Sequence, residues 1–306
     1  MVPASRVIDI PGRPRQNTPG LVPGVFFCLS ETPQPSIPLS PSLLSLILPL
    51  RTLLLVTLPL LTLSAGAVAA DAGNCPRARY PAGSEAIVAV RKVQDGDSFT
   101  TSDGRKIRLI GVNAPELGGS GGAAQPVART ARRFVEDFVR ANPKVMLVPG
   151  SERHDKYGRQ LAHVYSLSGQ SLEAALVARG LGWHIAIPPN LALADCLSSL
   201  ERDARRQGVG LWSGDRPVAA RQLRNGGFQR VAGRVDKIVF AKAWWINLDG
   251  KLAGVIYPEH QGNFSRSQLR ALEGRQVVLR GWIYPSNARS GKPWRVKVET
   301  AYGIEE

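Results

Sequence analysis

Residues 95–116 read DGDSFTTSDGRKIRLIGVNAPE. Ser98–Thr101 is extended and β-prone, Ser102-Asp103-Gly104 has turn chemistry, and RKIRLIGV (105–112) follows, so a hairpin is predicted. Upstream, AIVAVRKV (86–93) alternates well enough for a strand. Asp95-Gly96-Asp97 then makes the bend, with Gly96 expected to supply a positive φ and both aspartates expected to point outward. The resulting three-stranded meander gathers Asp97, Arg108, Asn113 and Glu116 around one hairpin.

Working outward, LGGSGGAA (117–124) is too glycine-rich to order alone and is expected to be a surface loop beside these residues. Pro126 opens a helix in which Val127, Ala131, Phe134, Val135, Phe138 and Val139 recur at spacings of three and four, ending near Asn142-Pro143. Lys144–Val148 reads as a strand, SERHDKYGRQ (151–160) as a polar loop and LAHVYS (161–166) as the partner strand. Ser171 caps a helix that stops at Gly180. Asn190 is expected to cap another reaching Gln207, with Leu193, Leu197, Leu200 and Ala204 as its buried stripe. Five strands with a helix after the third and two more at the end predict a mainly β, α+β fold. Residues 86–213 are expected to form a five-stranded barrel of the oligonucleotide-binding (OB) type with three helices.

From about Arg221 the pattern restarts as three strands, a short helix (FSRSQLRALEG) and two strands, which predicts a second OB-type barrel over 221–306. This segment carries 15 Lys and Arg against 7 Asp and Glu. Trp244, Trp245, Trp282, Tyr284 and Trp294 are interleaved with the cations, a combination suited to single-stranded nucleic acid. Small barrels also use tryptophan as core and Lys or Arg on solvated strand faces, so binding is one of two readings. No carboxylate cluster like that around Asp97 occurs here, and no catalysis is expected of it.

The chain as a whole has a formal net charge of +15 and a pI of about 10.4, which points to a polyanionic partner. Most of that charge lies after residue 70, since the first 70 residues hold only Arg6, Arg13, Arg15 and Arg51 against Asp9 and Glu31. Residues 1–41 are rich in Pro and Ser without periodicity. SLLSLILPLRTLLLVTLPLLTLSAGAVAA (42–70) resembles a secretory signal, with Arg51 as its charged flank, Thr52–Leu63 as its apolar core, and Ala67-Val68-Ala69 or Val68-Ala69-Ala70 before the cleavage point. The expectation is a periplasmic or secreted monomer with no stable membrane insertion after processing, followed by a linker arm over 71–85. The runner-up is an anchor formed by 42–70, which must bury Arg51 at a cost. Of three cysteines, Cys28 falls in the segment expected to be removed. Cys75 and Cys196 are either a disulfide pair in an oxidising compartment or a loose thiol and a small buried apolar residue. CxxC spacing and Cys/His clusters are lacking, which argues against zinc.

A phosphodiester hydrolase needs hard oxygen ligands for a divalent cation, positive groups where the phosphorane gathers charge, and a base for water. Asp97 and Asn113 supply oxygens, Arg108 and Arg159 forked donors, and Glu116 a carboxylate. In order, Asp95-Gly96-Asp97-Ser98, Arg108–Glu116 (RLIGVNAPE) and Arg153–Ala162 (RHDKYGRQLA) resemble the thermonuclease, or staphylococcal nuclease-like, family. LVARGL (176–181), ERDAR (201–205) and Gly210-Leu211-Trp212-Ser213 agree with it. The resemblance covers about 86–213. It implies that Asp97, Asn113 and the Ala114 carbonyl ligate Ca²⁺, that Glu116 is the general base, and that Arg108 and Arg159 bind the phosphate. Lys156 and Tyr157 are candidate substrate contacts. The implied activity is sugar-nonspecific endonuclease cleavage of DNA and RNA leaving 3′-phosphates.

Two positions depart from the family pattern. Asn113 stands where aspartate is usual, which predicts a weaker metal site. The apolar HIAIPP (184–189) replaces a segment that carries base-contacting tyrosines in the best-known member, so base stacking there is not expected. The competing reading is a non-catalytic nucleic-acid-binding protein with a degenerate site; a third is an envelope-anchored interaction protein.

Overall fold

The computed structural model describes residues 74–79, 85–118, 123–286 and 291–306. The N-terminal extension, the signal-like segment, its cleavage point and residues 119–122 of the glycine-rich loop lie outside the described residues. So do 71–73 and 80–84 of the arm.

In the first barrel, β1 (Ala86–Val93), β2 (Ser98–Thr101) and β3 (Lys106–Leu109) form the expected meander. RKIRLIGV is not one strand, however. Gly111 adopts φ 82°, and a Cβ there would lie 2.6 Å from the Leu197 side chain. The chain turns at this residue and begins a separate short strand, β4 (Val112–Asn113). Helix α1 (Ala128–Ala141) buries Ala128, Ala131, Val135 and Phe138, the three-and-four spacing of one face. Strands β5 (Lys144–His154) and β6 (Gln160–Ser166) complete a closed barrel of order β1-β2-β3-β6-β5, in which β3 and β6 run parallel. An irregularity in β1 between Val90 and Lys92 lets one strand serve two neighbours, Ala86–Ala89 pairing with β5 and Val90–Val93 with β2.

Helix α2 (Leu172–Ala178) is capped by Ser171, whose hydroxyl accepts from the Ala174 N–H. Strand β7 (Trp183–His184) pairs with β4. Helix α3 (Ala194–Gln207) follows Leu193, so Asn190 is not its cap. The Asn190 amide instead bridges the Glu152 backbone, accepting from its N–H and donating to its C=O at 3.0 Å each. Cys75 and Cys196 form a disulfide that ties the arm to α3.

The second barrel is preceded by β8 (Val218–Ala219) and built from β9 (Gly227–Phe240), β10 (Trp244–Leu248), β11 (Leu252–Ile256), β12 (Gln276–Pro285) and β13 (Trp294–Lys297). The short helix α4 (Arg266–Arg270) lies between β11 and β12, and β14 (Ile304–Glu305) pairs with β12. β9 pairs with both β10 and β12, closing the ring β9-β10-β11-β13-β12 with β11 and β13 parallel. This repeats the topology of the first barrel, around a core of Val231, Val235, Ile246, Leu248, Leu252, Ile256, Leu279 and Val296. Trp244 is buried in that core and is therefore not available as a binding aromatic.

The barrels dock through buried and half-buried charged groups. Arg280 on β12 donates to both oxygens of Glu201 on α3, at 2.5 and 2.9 Å, and to the His184 carbonyl. Arg280 is 7% and Glu201 4% exposed. Burial alone would lower the Arg280 pKa; Glu201 outweighs it and holds the guanidinium charged. Glu305 gathers Arg205, Arg230 and Arg280, and Arg205 and Arg230 lie over the Trp212 ring.

Candidate active site

Asp97 follows a bend over 95–97 that is made without the expected positive φ. Gly96 is not in the left-handed region; a Cβ on it would come within 2.7 Å of the Ala114 and Ala131 side chains, so its role is close packing against α1. Asp97 is accordingly buried rather than directed outward, at 6% exposure. Its Oδ2 accepts from the Ala114 N–H at 2.7 Å and lies 3.0 Å from Arg108 Nη1, while Oδ1 accepts from the Ser98 hydroxyl at 2.9 Å. Burial pushes the Asp97 carboxyl up to about 6, with Arg108 opposing the shift and Asp95 adding to it.

Arg108 is fixed from several sides. Nη1 donates to the Val112 and Leu109 carbonyls at 2.8 and 3.2 Å, and Nη2 donates to Asn113 Oδ1 at 3.1 Å. The turn at Gly111 produces this arrangement by folding Val112 and Asn113 back over the guanidinium. Arg159 enters from the β5–β6 loop. Its Nε donates to Asp155 Oδ2 at 2.7 Å and its Nη1 to Ser98 Oγ at 3.3 Å, so Ser98 bridges Arg159 and Asp97. Burial alone would raise the Asp155 carboxyl; bonds from the Arg159 backbone and side chain and from the Tyr157 N–H hold it below its ordinary range. Asp155 thus both shapes the loop and orients Arg159.

Glu116 is exposed, and its backbone N–H and C=O both bond Gln125, at 2.8 and 2.9 Å. Gln125 thereby clamps the base of the glycine-rich loop, and no sequence signal pointed to it. Tyr157 is 72% exposed, with Lys156 Nζ and the Arg159 guanidinium within 5.1 and 5.6 Å of its ring centre.

Asp95, Asp97, Arg108, Asn113, Glu116, Lys156, Tyr157 and Arg159 line one cleft of about 740 Å³. Ile185 and Ile187 of the HIAIPP segment, and Trp282 of the second barrel, line it as well. Among the described residues no three His, Cys, Asp or Glu side chains gather as a metal site. A cation here would draw on an amide oxygen too, as Asn113 provides; Ala114 does not line the cleft and is packed in the first barrel's core. In type the donors suit an oxygen-seeking ion, since Asp97 and Asn113 offer hard oxygens on one cleft wall; Asp97 Oδ2 and Asn113 Oδ1 both face the Arg108 guanidinium.

Residues 106–214 match the model of the family described as staphylococcal nuclease homologue. A thermonuclease of Staphylococcus intermedius is 31% identical over 126 residues, which is 40% of this chain and 74% of that protein. The chain belongs to the staphylococcal nuclease homologue family. An uncharacterized endonuclease of Escherichia coli O157:H7 is 32% identical over 132 residues, 42% of this chain and 78% of its own length. Endonuclease YncB of Bacillus subtilis is 28% identical over 130 residues, 41% of this chain and 61% of its own length. The staphylococcal nuclease homologue match takes in Arg108, Asn113, Glu116 and Arg159 and ends before β8, so the second barrel lies beyond it.

Proposed function

We propose that the protein is a Ca²⁺-dependent, sugar-nonspecific endonuclease that hydrolyses phosphodiester bonds in DNA and RNA to leave 3′-phosphates. The observation that carries this reading is the convergence of Arg108, Arg159, Asp97 and Glu116 on one cleft. Arg108 and Arg159, each held by a carboxylate, would grip the non-bridging oxygens of the scissile phosphate and oppose the charge that grows on them. Because both guanidiniums are already oriented, little ordering is left for the moment of reaction. Glu116, exposed at the mouth of the glycine-rich loop, would accept the proton of the attacking water. Asp97 and Asn113 would hold the metal, which when bound polarises phosphate oxygens and adds positive charge.

The second barrel is proposed to prolong contact with the polyanion, and the Cys75–Cys196 disulfide supports export to the periplasm or medium. The deciding assay incubates the purified protein with DNA in calcium or in chelator. Cleavage only in calcium is expected. Binding without cleavage in both would replace this reading with the non-catalytic one.

A further inference from the structure

The cleft holding the phosphate-binding arginines is walled in part by a residue of the other barrel. Along β12 the side chains alternate. Leu279 and Ile283 face the second barrel's core, while Arg280 and Trp282 take the opposite face, where Arg280 is tied to the first barrel. Trp282 is 46% exposed and lines the cleft with Ile185, Ile187 and Tyr157. Phe228 packs edge-on against it at 5.1 Å, and Trp183 of β7 lies 5.3 Å from Phe228. The indole is therefore propped by rings reaching into both barrels while nearly half of it stays open.

An apolar wall beside two guanidiniums is complementary to a nucleotide, with phosphate toward the cations and base toward the rings. Only an unpaired base has a free face to offer, since bases in a duplex are stacked on their neighbours. The HIAIPP segment contributes Ile185 and Ile187 but no ring, so the aromatic surface has to come from elsewhere.

We propose that Trp282, supplied by the second barrel, stacks a nucleobase of a single-stranded substrate next to the phosphate held by Arg108 and Arg159. The reaction part of this inference rests on the nuclease reading; the binding part does not.

The test uses oligothymidylate and an abasic oligomer of equal length, with the intact protein and its Trp282→Leu and Trp282→Phe variants. Cleavage is followed in calcium and affinity in chelator. The expected result is that Trp282→Leu lowers the preference for oligothymidylate over the abasic oligomer by about 5- to 100-fold, while Trp282→Phe keeps most of it. Oligothymidylate is also expected to quench tryptophan fluorescence of the intact protein, a quench absent with the abasic oligomer and absent in Trp282→Phe. An unchanged preference in a folded Trp282→Leu variant, or no quench in the intact protein, overturns the inference. Should the protein bind through Trp282 without cutting, the nuclease reading fails and the stacking role stands. Should it cut with a preference indifferent to Trp282, the stacking role fails alone.

Discussion

Replacing Arg280 with methionine removes the most deeply buried charged donor that joins the two barrels. In the intact protein both Glu201 oxygens are bonded by this guanidinium, and Glu201 Oε1 also accepts from the His184 N–H at 2.8 Å. The variant leaves Glu201 at 4% exposure with that N–H and Arg205 Nη2, 3.6 Å away, as its remaining positive contacts. Breaking a buried pair from one side costs about 3–5 kcal/mol, because the surviving charge keeps its desolvation penalty and loses its counterion. In a cooperative unit of this size each kcal/mol shifts Tm by about 2–4 °C, so a fall of roughly 6–20 °C is expected by calorimetry. Replacing both Arg280→Met and Glu201→Gln should cost less than the sum of the single changes, by 1 kcal/mol or more, since the partners share one interaction. A fall under about 2 °C for Arg280→Met, or strictly additive costs, would refute the reasoning.

Three further outcomes are expected. Removing either arginine proposed to grip the phosphate, as Arg108→Ala or Arg159→Ala, should lower kcat by about 10²- to 10³-fold, measured on single-stranded DNA at saturating calcium. Asn113→Asp should lower the calcium concentration for half-maximal activity, because a charged oxygen replaces a neutral one; an unchanged midpoint would show that this side chain is not a ligand. Burial alone would raise the Glu305 carboxyl, but Arg230 and Arg205 hold it down at about 2, against 4.5 unperturbed. Unfolded chains thus bind this proton first, so the contribution is complete above pH 4.5 and is lost as pH falls toward 2. Glu305→Gln should flatten that acid-side decline in urea midpoints.

What the sequence could show was whatever has a local signature. Alternation marked β1, strand-like runs between turns marked most other barrel strands, and Ser171 and the Ala131–Val135–Phe138 spacing marked two helices. Arg108, Asn113 and Glu116 fall within nine residues, so their proximity follows from a turn alone. Features that failed depend on contacts distant in sequence. Gly96 reads as a turn former because nothing nearby announces that α1 will press on it. Asn190 reads as a cap because Asx residues so often are, and its true partner, Glu152, is 38 residues away. Arg280 is one of 15 Lys and Arg over 221–306 and nothing near it in sequence sets it apart; its partner Glu201 lies 79 residues earlier.

These distant contacts bear on the site itself. Arg280 and Trp282 are two residues apart on one face of β12, about 7 Å along the strand, so the ion pair that docks the barrel also sets where the indole stands in the cleft. Arg108 and Arg159, by contrast, are held within the first barrel, by Val112, Asn113, Asp97, Ser98 and Asp155. Loosening the dock should therefore act on substrate affinity ahead of chemistry. At a temperature where Arg280→Met is still folded, KM for oligothymidylate should rise, and the abasic oligomer should be affected less. If kcat fell instead with KM held, the dock would have to act on Arg108 or Arg159, and the division of labour between the barrels would be wrong.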